Sequence, residues 1–183
     1  MDKHTVIAHT RRWIDAIVIG LNLCPFAQRV FMAGTIAYVV TDAENEHALL
    51  RDLAGELETL AATSIACVET TLLVHPCALK NFPDYNDFLD RGDRLIGELG
   101  LRGTIQLASF HPDYQFADTD SDAVENYTNR SPYPMLHLLR EASFAQATDD
   151  PEALLDIPRR NSELLRALGR KKILEMLEAL KDG

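Results

Sequence analysis

The feature that most constrains this fold is an alternation of strand-like and helix-like segments between residues 35 and 110. Some of these segments are short and rich in β-branched or aromatic side chains, which predicts strands. The segments between them repeat apolar side chains every three or four positions, which predicts helices. The predicted strands are residues 35–41, 66–75 and 104–110, and the predicted helices are residues 46–60 and 82–99. The order predicts an α/β fold, in which helices pack on a small sheet of three or slightly more strands. An α+β arrangement is the alternative.

The segments on either side of this unit are predicted to be mostly helical. Residues 111–133 are the exception, because they hold many turn-forming residues and little periodicity. Loops of that length are often functional. The other predicted helices are residues 4–20, Pro134–Ala147, a helix that begins at Asp150 and is broken or kinked at Pro158, and a C-terminal helical segment from Asn161 to Leu180 with an interruption at Gly169. A chain of 183 residues with 46% apolar side chains is ordinary for a globular protein, so we expect a single domain over residues 1–183.

Charge and cysteine content restrict the partners and the compartment. The chain has 28 acidic and 18 basic residues, which argues against a nucleic-acid partner because such binding needs Lys and Arg. The longest apolar stretch, residues 14–23, is far shorter than the roughly 20 residues that span a bilayer. The first residues lack a basic flank followed by an apolar run, so we expect no secretory signal. Three cysteines without CxxC spacing predict free thiols in a reducing compartment. We therefore expect a cytoplasmic protein without a membrane partner, and its oligomeric state stays open.

Two predicted strands end in the same dipeptide, His-Pro. His75 follows the second strand and His111 follows the third. If these strands are parallel, both imidazoles lie at the carboxyl end of the sheet, where open α/β sheets bind ligands. His111 is therefore a candidate acid or base. The alternative is that proline only terminates each strand.

Cys24 precedes Pro25 in the segment after the first helix. Proline suits the first position of a helix, which would place Cys24 at its N-terminal cap. There the peptide dipoles would lower the pKa of the thiol and favour a nucleophile. The alternative is a buried, unreactive thiol. Cys67, within a predicted strand, is expected in the core.

Polar residues before the predicted helix at Pro134 predict an anion site. Free amides at a helix start bind carboxylate or phosphate. His137 would lie one turn into that helix, as a further candidate acid or base. The candidate substrate-binding residues are Asn126, Asn129, Arg130, Ser131, Arg140 and Arg160. The alternative is that these side chains cap the helix and hold the loop.

Three longer motifs carry a resemblance to a known family. They are residues 21–26 (LNLCPF), residues 109–116 (SFHPDYQF) and residues 129–140 (NRSPYPMLHLLR). The chain resembles the bacterial domain of unknown function 1415 family over essentially its whole length. The resemblance implies a one-domain bacterial protein, and it brings no established activity, cofactor or catalytic residue.

Three functions are open at this point. The leading hypothesis is an enzyme for a small anionic metabolite, with Cys24, His111 and His137 as catalytic residues. The second is a metal-binding protein that combines histidine with carboxylate or thiolate ligands. Its candidate ligands are His75, His111, His137, Asp113, Asp118 and Cys24. The third is a non-catalytic protein-binding module that docks a partner on the leucine-rich C-terminal helices.

Overall fold

Four strands form a mixed sheet in the computed structural model, which describes residues 2–143 and 156–180. The strands are β1 (Ile36–Val40), β2 (Thr70–Val74), β3 (Ile105–Phe110) and β4 (Met135–Arg140). Their order is β1-β2-β4-β3. β1 and β2 are parallel, whereas β4 is antiparallel to both β2 and β3. β1, β2 and β3 therefore run in one direction, as the strand–helix alternation predicted, and β4 is inserted between them.

Helices cover both faces of this sheet. They are α1 (Lys3–Trp13), which continues as a π-helical segment (Ile14–Ile19), α2 (Ala27–Ala33), α3 (Glu46–Ala62), α4 (Phe82–Glu98), a 3-10 turn (Val124–Thr128), α5 (Ile157–Leu168) and α6 (Arg170–Ala179). The side chain of Asn45 accepts a 3.0 Å hydrogen bond from the Ala48 amide and so caps α3. Gly169, at a φ of 81°, separates α5 from α6. Among the described helices, none has the length and apolar composition that crossing a membrane requires.

The two faces of the sheet carry separate cores. On the first face, α3 and α4 pack against alternate residues of the strands, including Leu73, Ile105, Leu136 and Leu138. On the second face, α1, the π-helical segment, α5 and α6 pack against the intervening residues. The buried members of this second core include Val6, Trp13, Ile14, Ile17, Leu72, Met135, Leu165 and Ile173. All five residues of β2 are buried, because β2 is covered on both faces. The α/β prediction is thus confirmed.

The helix predicted from Pro134 to Ala147 is wrong at its start. Residues 135–140 form β4, in the middle of the sheet. A short apolar run such as MLHLLR fits a buried strand as well as a helix, and pairing with β2 and β3 decides between them. The helix predicted at Asp150 lies outside the described residues. Pro158 lies in the first turn of α5, where its missing N–H is tolerated.

Two further expectations differ in detail from the structure. Cys67 is exposed and not in the core, because β2 begins only at Thr70 and the preceding residues form a turn.

The leucine-rich C-terminal helices mostly supply the second core. Leu165 and Ile173 are buried there, and Leu168, Leu177 and Leu180 pack against it. Leu164 and Leu174 are 36% and 40% exposed, so little of this face is left for a partner.

Candidate functional site

His75 and His111 lie where the sequence placed them, at the carboxyl ends of β2 and β3, and both are fully buried. His75 Nδ1 donates to the Ala78 carbonyl at 3.0 Å. His111 Nδ1 accepts from the Asp113 amide at 3.0 Å, so its proton is on Nε2, which donates to the Leu79 carbonyl at 3.2 Å. Backbone groups therefore hold both imidazoles in place.

Tyr85 of α4 joins these two histidines into one packed group, which we call the carboxyl-edge cluster (His75, Phe82, Tyr85 and His111). The Tyr85 ring lies 5.8 Å from His75 and 5.1 Å from His111. Its hydroxyl accepts from the Phe110 amide at 3.0 Å and donates to the Met135 carbonyl at 2.8 Å. Burial lowers the pKa of His75 to about 4 and also lowers the pKa of His111. These contacts give His111 a structural role, and its catalytic role stays a prediction.

The candidate residues of the long loop are used to hold that loop. Asn126 is fully buried, accepts from the Phe116 amide at 3.0 Å and donates to the Asp120 carbonyl at 2.8 Å. Asn129 donates to the Ser109 carbonyl and Ser131 to the Tyr133 carbonyl. The anion site predicted from a helix start at Pro134 is wrong, because that residue leads into β4 and no helix begins there.

Arg130 is also bound within the loop. Its Nε donates to the Tyr114 carbonyl at 3.1 Å and its Nη2 donates to the Ser121 carbonyl at 2.6 Å. Its guanidinium lies 4.5 Å from the centre of the Tyr127 ring. Carbonyls therefore accept from two of the three nitrogens that were expected to bind an anion, and an aromatic ring lies beside the guanidinium.

Arg160 and its neighbour Asn161 position the turn that carries Cys24. Arg160 donates to the Asn22 carbonyl, and Asn161 donates to the Leu23 carbonyl at 2.7 Å. Asn22 has a φ of 51°, in the left-handed region that asparagine tolerates. Sequence reasoning selected Arg160 but missed Asn161, which is the more buried of the two.

A cavity of about 280 Å³ lies between the second face of the sheet and the first helices of the chain. Its floor consists of rows of paired residues. One row holds Ile36, Thr70 and Leu139, and the next holds Leu72, His137 and Ala108. Phe110 lines the cavity one step further along β3, and its ring lies 6.1 Å from that of His137. The small Ala108 side chain beside His137 leaves part of this space open.

The roof of the cavity is built from the chain between Trp13 and Val30. The end of α1, the π-helical segment, the Cys24 turn and the first half of α2 supply the apolar side chains of the roof. These lining residues are Trp13, Ile14, Val18, Leu23, Phe26, Ala27 and Val30. π-helical turns are rare in proteins, but those that do occur are often found at functional sites. Trp13 packs edge-on against Phe110, with 5.3 Å between their ring centres, and so links roof and floor.

Cys24 and His137, two of the three predicted catalytic residues, both line this cavity. α2 begins only at Ala27, so Cys24 precedes the helix and does not cap it. Burial raises the pKa of the Cys24 thiol, although the Phe26 and Ala27 amides that hydrogen-bond to it act in the opposite direction. The predicted lowering of this pKa is therefore wrong, because loss of hydration outweighs the backbone dipoles.

His137 is also held in its neutral form. The Thr70 hydroxyl donates to the Leu138 carbonyl at 2.7 Å, so it accepts a hydrogen bond from His137 Nε2 at 2.7 Å. This places the proton on Nε2 and leaves Nδ1 as an acceptor. Burial lowers the pKa of His137 to about 4. At neutral pH, the thiol and the imidazole in this cavity are thus both uncharged.

Charged groups lie at the end of the cavity near the start of β2. Arg29 of α2 forms a two-pronged ion pair with the buried carboxylate of Glu69. Arg140 donates through Nη2 to three carbonyls, those of Leu60, Thr63 and Val68. Two of these carbonyls belong to the carboxyl end of α3, where a cation is favourable. His111, Arg130 and Arg160 do not line the cavity, whereas Arg140 does.

Sequence reasoning missed Trp13, Glu69, Thr70, Ala108 and Ser143 as cavity residues. An indole in an amphipathic helix is normally assigned to the core, and an alanine in a strand carries no chemical signal. Only the position of β4 brings His137 opposite Thr70 and Ala108, and that strand was predicted to be a helix.

Several buried polar atoms have no hydrogen-bond partner in the described part of the chain. They are Arg12 Nη1, Trp13 Nε1, Tyr38 Oη, His75 Nε2, Arg140 Nε and Ser143 Oγ. Three of these, on Trp13, Arg140 and Ser143, belong to residues that line the cavity. Trp13 is only 2% exposed. Half of these unpaired atoms therefore belong to residues that line one cavity.

No three His, Cys, Asp or Glu side chains among residues 2–143 and 156–180 lie close enough together to hold a metal ion. Of the ligands proposed from the sequence, Asp113 and Asp118 are exposed on the loop, whereas His75 and His111 make the backbone contacts given above.

The fold and the cavity define an α/β protein with a largely apolar space between its sheet and its N-terminal helices. The chain belongs to the family described as Protein of unknown function (DUF1415), whose model matches residues 5–175. This confirms the family identified from the three motifs. No curated protein and no solved structure is significantly similar to the chain.

Proposed function

We propose that this protein binds a small, mostly apolar molecule in the cavity between the sheet and the Cys24 turn. The observation that carries the proposal is the unpaired Nε1–H of Trp13, a side chain that is 98% buried in the lining of that cavity. A buried donor without a partner costs about 1–3 kcal/mol. A ligand oxygen that accepts from this donor would remove that cost.

The size and chemistry of the cavity support a small molecule. Its volume of about 280 Å³ lies just below the range of about 300–1,000 Å³ that is usual for ligand sites. Its lining is mostly aliphatic and aromatic, with a few polar groups, as in most small-molecule sites. His137 Nδ1 would accept a hydrogen bond, and Trp13 Nε1 would donate one. The expected ligand therefore has an apolar body and at least one oxygen.

Two of the candidate catalytic residues, Cys24 and His137, do line the cavity, but their pKa shifts are not those that an enzyme with a nucleophilic thiolate needs. A thiolate–imidazolium pair needs a lowered thiol pKa and a raised histidine pKa, whereas burial shifts the pKa of Cys24 upwards and that of His137 downwards. We therefore propose recognition of a ligand as the role of these two side chains. Catalysis by Cys24, His111 and His137 stays a prediction, as do the single domain, the cytoplasmic location and the bacterial origin.

The chain contains one tryptophan, so its fluorescence tests the proposal directly. We would titrate the protein with octanoate, 1-octanol and phenylacetate, and we expect at least one of them to change Trp13 emission saturably. The matched control is Ala108→Leu, which adds three carbons to the cavity floor and should abolish the response.

A second readout uses the cysteines. Cys67 and Cys77 are exposed, whereas Cys24 is partly buried in the cavity lining. A bound probe should slow alkylation of Cys24 by iodoacetamide and leave the other two rates unchanged. If none of the probes changes Trp13 emission or the Cys24 rate, or if Ala108→Leu responds like the unmodified protein, the proposal is wrong.

A further inference from the structure

We infer that the ligand of this cavity is an uncharged hydroxy compound, whose O–H donates a hydrogen bond to Nδ1 of His137 and whose oxygen accepts one from Nε1 of Trp13. This inference rests on the proposed function and names the class of molecule that the same site would take. The polar groups of the lining that are already paired, and those that are left free, select this class.

His137 presents a free hydrogen-bond acceptor to the cavity. Its Nε2 donates to the Thr70 hydroxyl, whose own proton goes to the Leu138 carbonyl, so Nδ1 carries no proton. No described residue donates to Nδ1, and this atom is not among the fully buried unpaired ones, so it is in contact with open space. His137 lies on an inner strand of the sheet, where the space beside its ring is this cavity. A ligand that fills the cavity must therefore bring a donor for Nδ1, or that acceptor loses its hydrogen bond.

No charged side chain in the described lining is left free to bind an ionic headgroup. Arg29 and Glu69 are paired with each other. Arg140 ends β4, and the alternation of that strand directs its side chain away from the cavity face, where its Nη2 donates to the Leu60 and Thr63 carbonyls. An ionised ligand would lose its hydration without gaining an opposite charge, which is strongly unfavourable. The favoured ligand is therefore uncharged.

Trp13 supplies the complementary group, a buried Nε1–H without a partner. Its indole and the ring of His137 both contact Phe110, with 5.3 Å and 6.1 Å between the ring centres, so one small molecule can reach both. A hydroxyl group has one hydrogen to donate and lone pairs to accept, and it therefore matches one free acceptor and one free donor. A carboxylate, a ketone or an ether only accepts, and it would leave Nδ1 of His137 unpaired.

The test compares two isomers, 1-octanol and heptyl methyl ether, with octanoate at pH 7.5, each followed through Trp13 emission. The ether has the same numbers of carbon, hydrogen and oxygen atoms as the alcohol but lacks the O–H. We expect 1-octanol to bind about tenfold more tightly than the ether, because only the alcohol donates to Nδ1. Octanoate should bind more weakly than 1-octanol, because its carboxylate is charged and has no donor.

Two substitutions of His137 separate the roles of its ring nitrogens. His137→Gln keeps a donor for Thr70 near the position of Nε2 but has no polar atom near that of Nδ1. The two isomers should then bind equally, to within about twofold. His137→Asn keeps an oxygen near the position of Nδ1, so it should retain most of the preference for 1-octanol. Both variants replace the same ring, and each is therefore the control for the other.

Equal binding of 1-octanol and heptyl methyl ether to the unmodified protein would overturn the hydroxyl inference while leaving the cavity as a ligand site. Octanoate that binds more tightly than 1-octanol would do the same, as would a preference for 1-octanol that persists unchanged in His137→Gln. The comparison of the three probes decides the inference even if a variant fails to fold. Failure of all three probes to bind the unmodified protein would remove the proposed function itself, so the two outcomes are distinct.

Discussion

The carboxyl-edge cluster and the cavity both bury histidine, and they differ in what fills the space around it. In the cluster, His75 and His111 contact aromatic rings, and backbone groups pair with three of their four ring nitrogens. In the cavity, His137 has the small Ala108 beside it and an open volume of about 280 Å³ above it. Burial lowers the pKa of His75 and His137 to the same value, about 4. The shifted pKa therefore does not distinguish His75 from His137, whereas the unfilled space beside His137 does.

Acid should destabilise both regions, and this is the largest effect we expect. The folded pKa of His75 and of His137 is about 4, below the ordinary value of 6.5. Between these values the unfolded chain binds more protons than the folded chain, so stability falls as the pH falls from 6.5 towards 4. Each histidine should contribute a slope of about 1.4 kcal/mol per pH unit in that window. Urea unfolding at a series of pH values measures the slope.

Replacing each histidine with a side chain that does not titrate shows how much of the pH dependence of stability comes from each region. His75→Asn keeps a donor near the position of Nδ1, and His137→Gln keeps one near Nε2. In each variant, the dependence of the free energy of unfolding on pH should be smaller by about 1.4 kcal/mol per pH unit, the contribution of one histidine. In the presence of 1-octanol, only the unmodified protein and His75→Asn should retain the probe-induced stabilisation. If both variants unfold with the acid dependence of the unmodified protein, other groups account for it and the comparison of the histidines has no energetic basis.

Removing one hydroxyl from the carboxyl-edge cluster should have the next largest effect. Tyr85 inserts its hydroxyl between the Phe110 amide and the Met135 carbonyl, which are partners at the last pair of β3 and β4. Tyr85→Phe leaves both backbone groups unpaired, and we expect a loss of about 2–4 kcal/mol in the free energy of unfolding. Tyr114→Phe is the control, because no hydrogen bond of that hydroxyl is present among the described contacts, and it should change stability by less than about 0.5 kcal/mol. A Tyr85→Phe effect as small as that of the control would mean that the cluster is not held in this way.

The fold was largely predictable because its signals are local. Periodicity places α3 and α4 to within two residues of their observed ends, and the positions of His75 and His111 follow from strands of the same direction. β4 was not predictable from its own residues. Its apolar run suits either a helix or a strand, and only pairing with both neighbours, at least 25 residues away in the chain, decides the conformation.

The cavity was predictable only in part, for the same reason. Cys24 and His137 were selected for their chemistry and do meet in one lining, but the helix that was to carry His137 does not exist. Arg130 was selected as a free cation, whereas the loop carbonyls and Tyr127 surround it. Whether a polar side chain is free or already bonded depends on distant backbone groups. That information is present in the fold and absent from local sequence patterns.

Replacing one alanine in each region with leucine should give the smallest change in the free energy of unfolding, and it compares the two regions most directly. Ala78 is 1% exposed and its carbonyl holds His75 in the carboxyl-edge cluster, whereas Ala108 faces the open volume beside His137. Ala78→Leu adds three carbons where no space exists, and overpacking of this kind costs about 1–3 kcal/mol. Ala108→Leu adds the same three carbons to a cavity, and filling a cavity commonly stabilises a protein by about 0.5–2 kcal/mol. The two free energies of unfolding, measured in urea under one condition, should therefore change with opposite signs. Equal destabilisation by both substitutions would mean that the space beside Ala108 closes in solution, and the reason to assign ligand binding to that region and packing to the other would be lost.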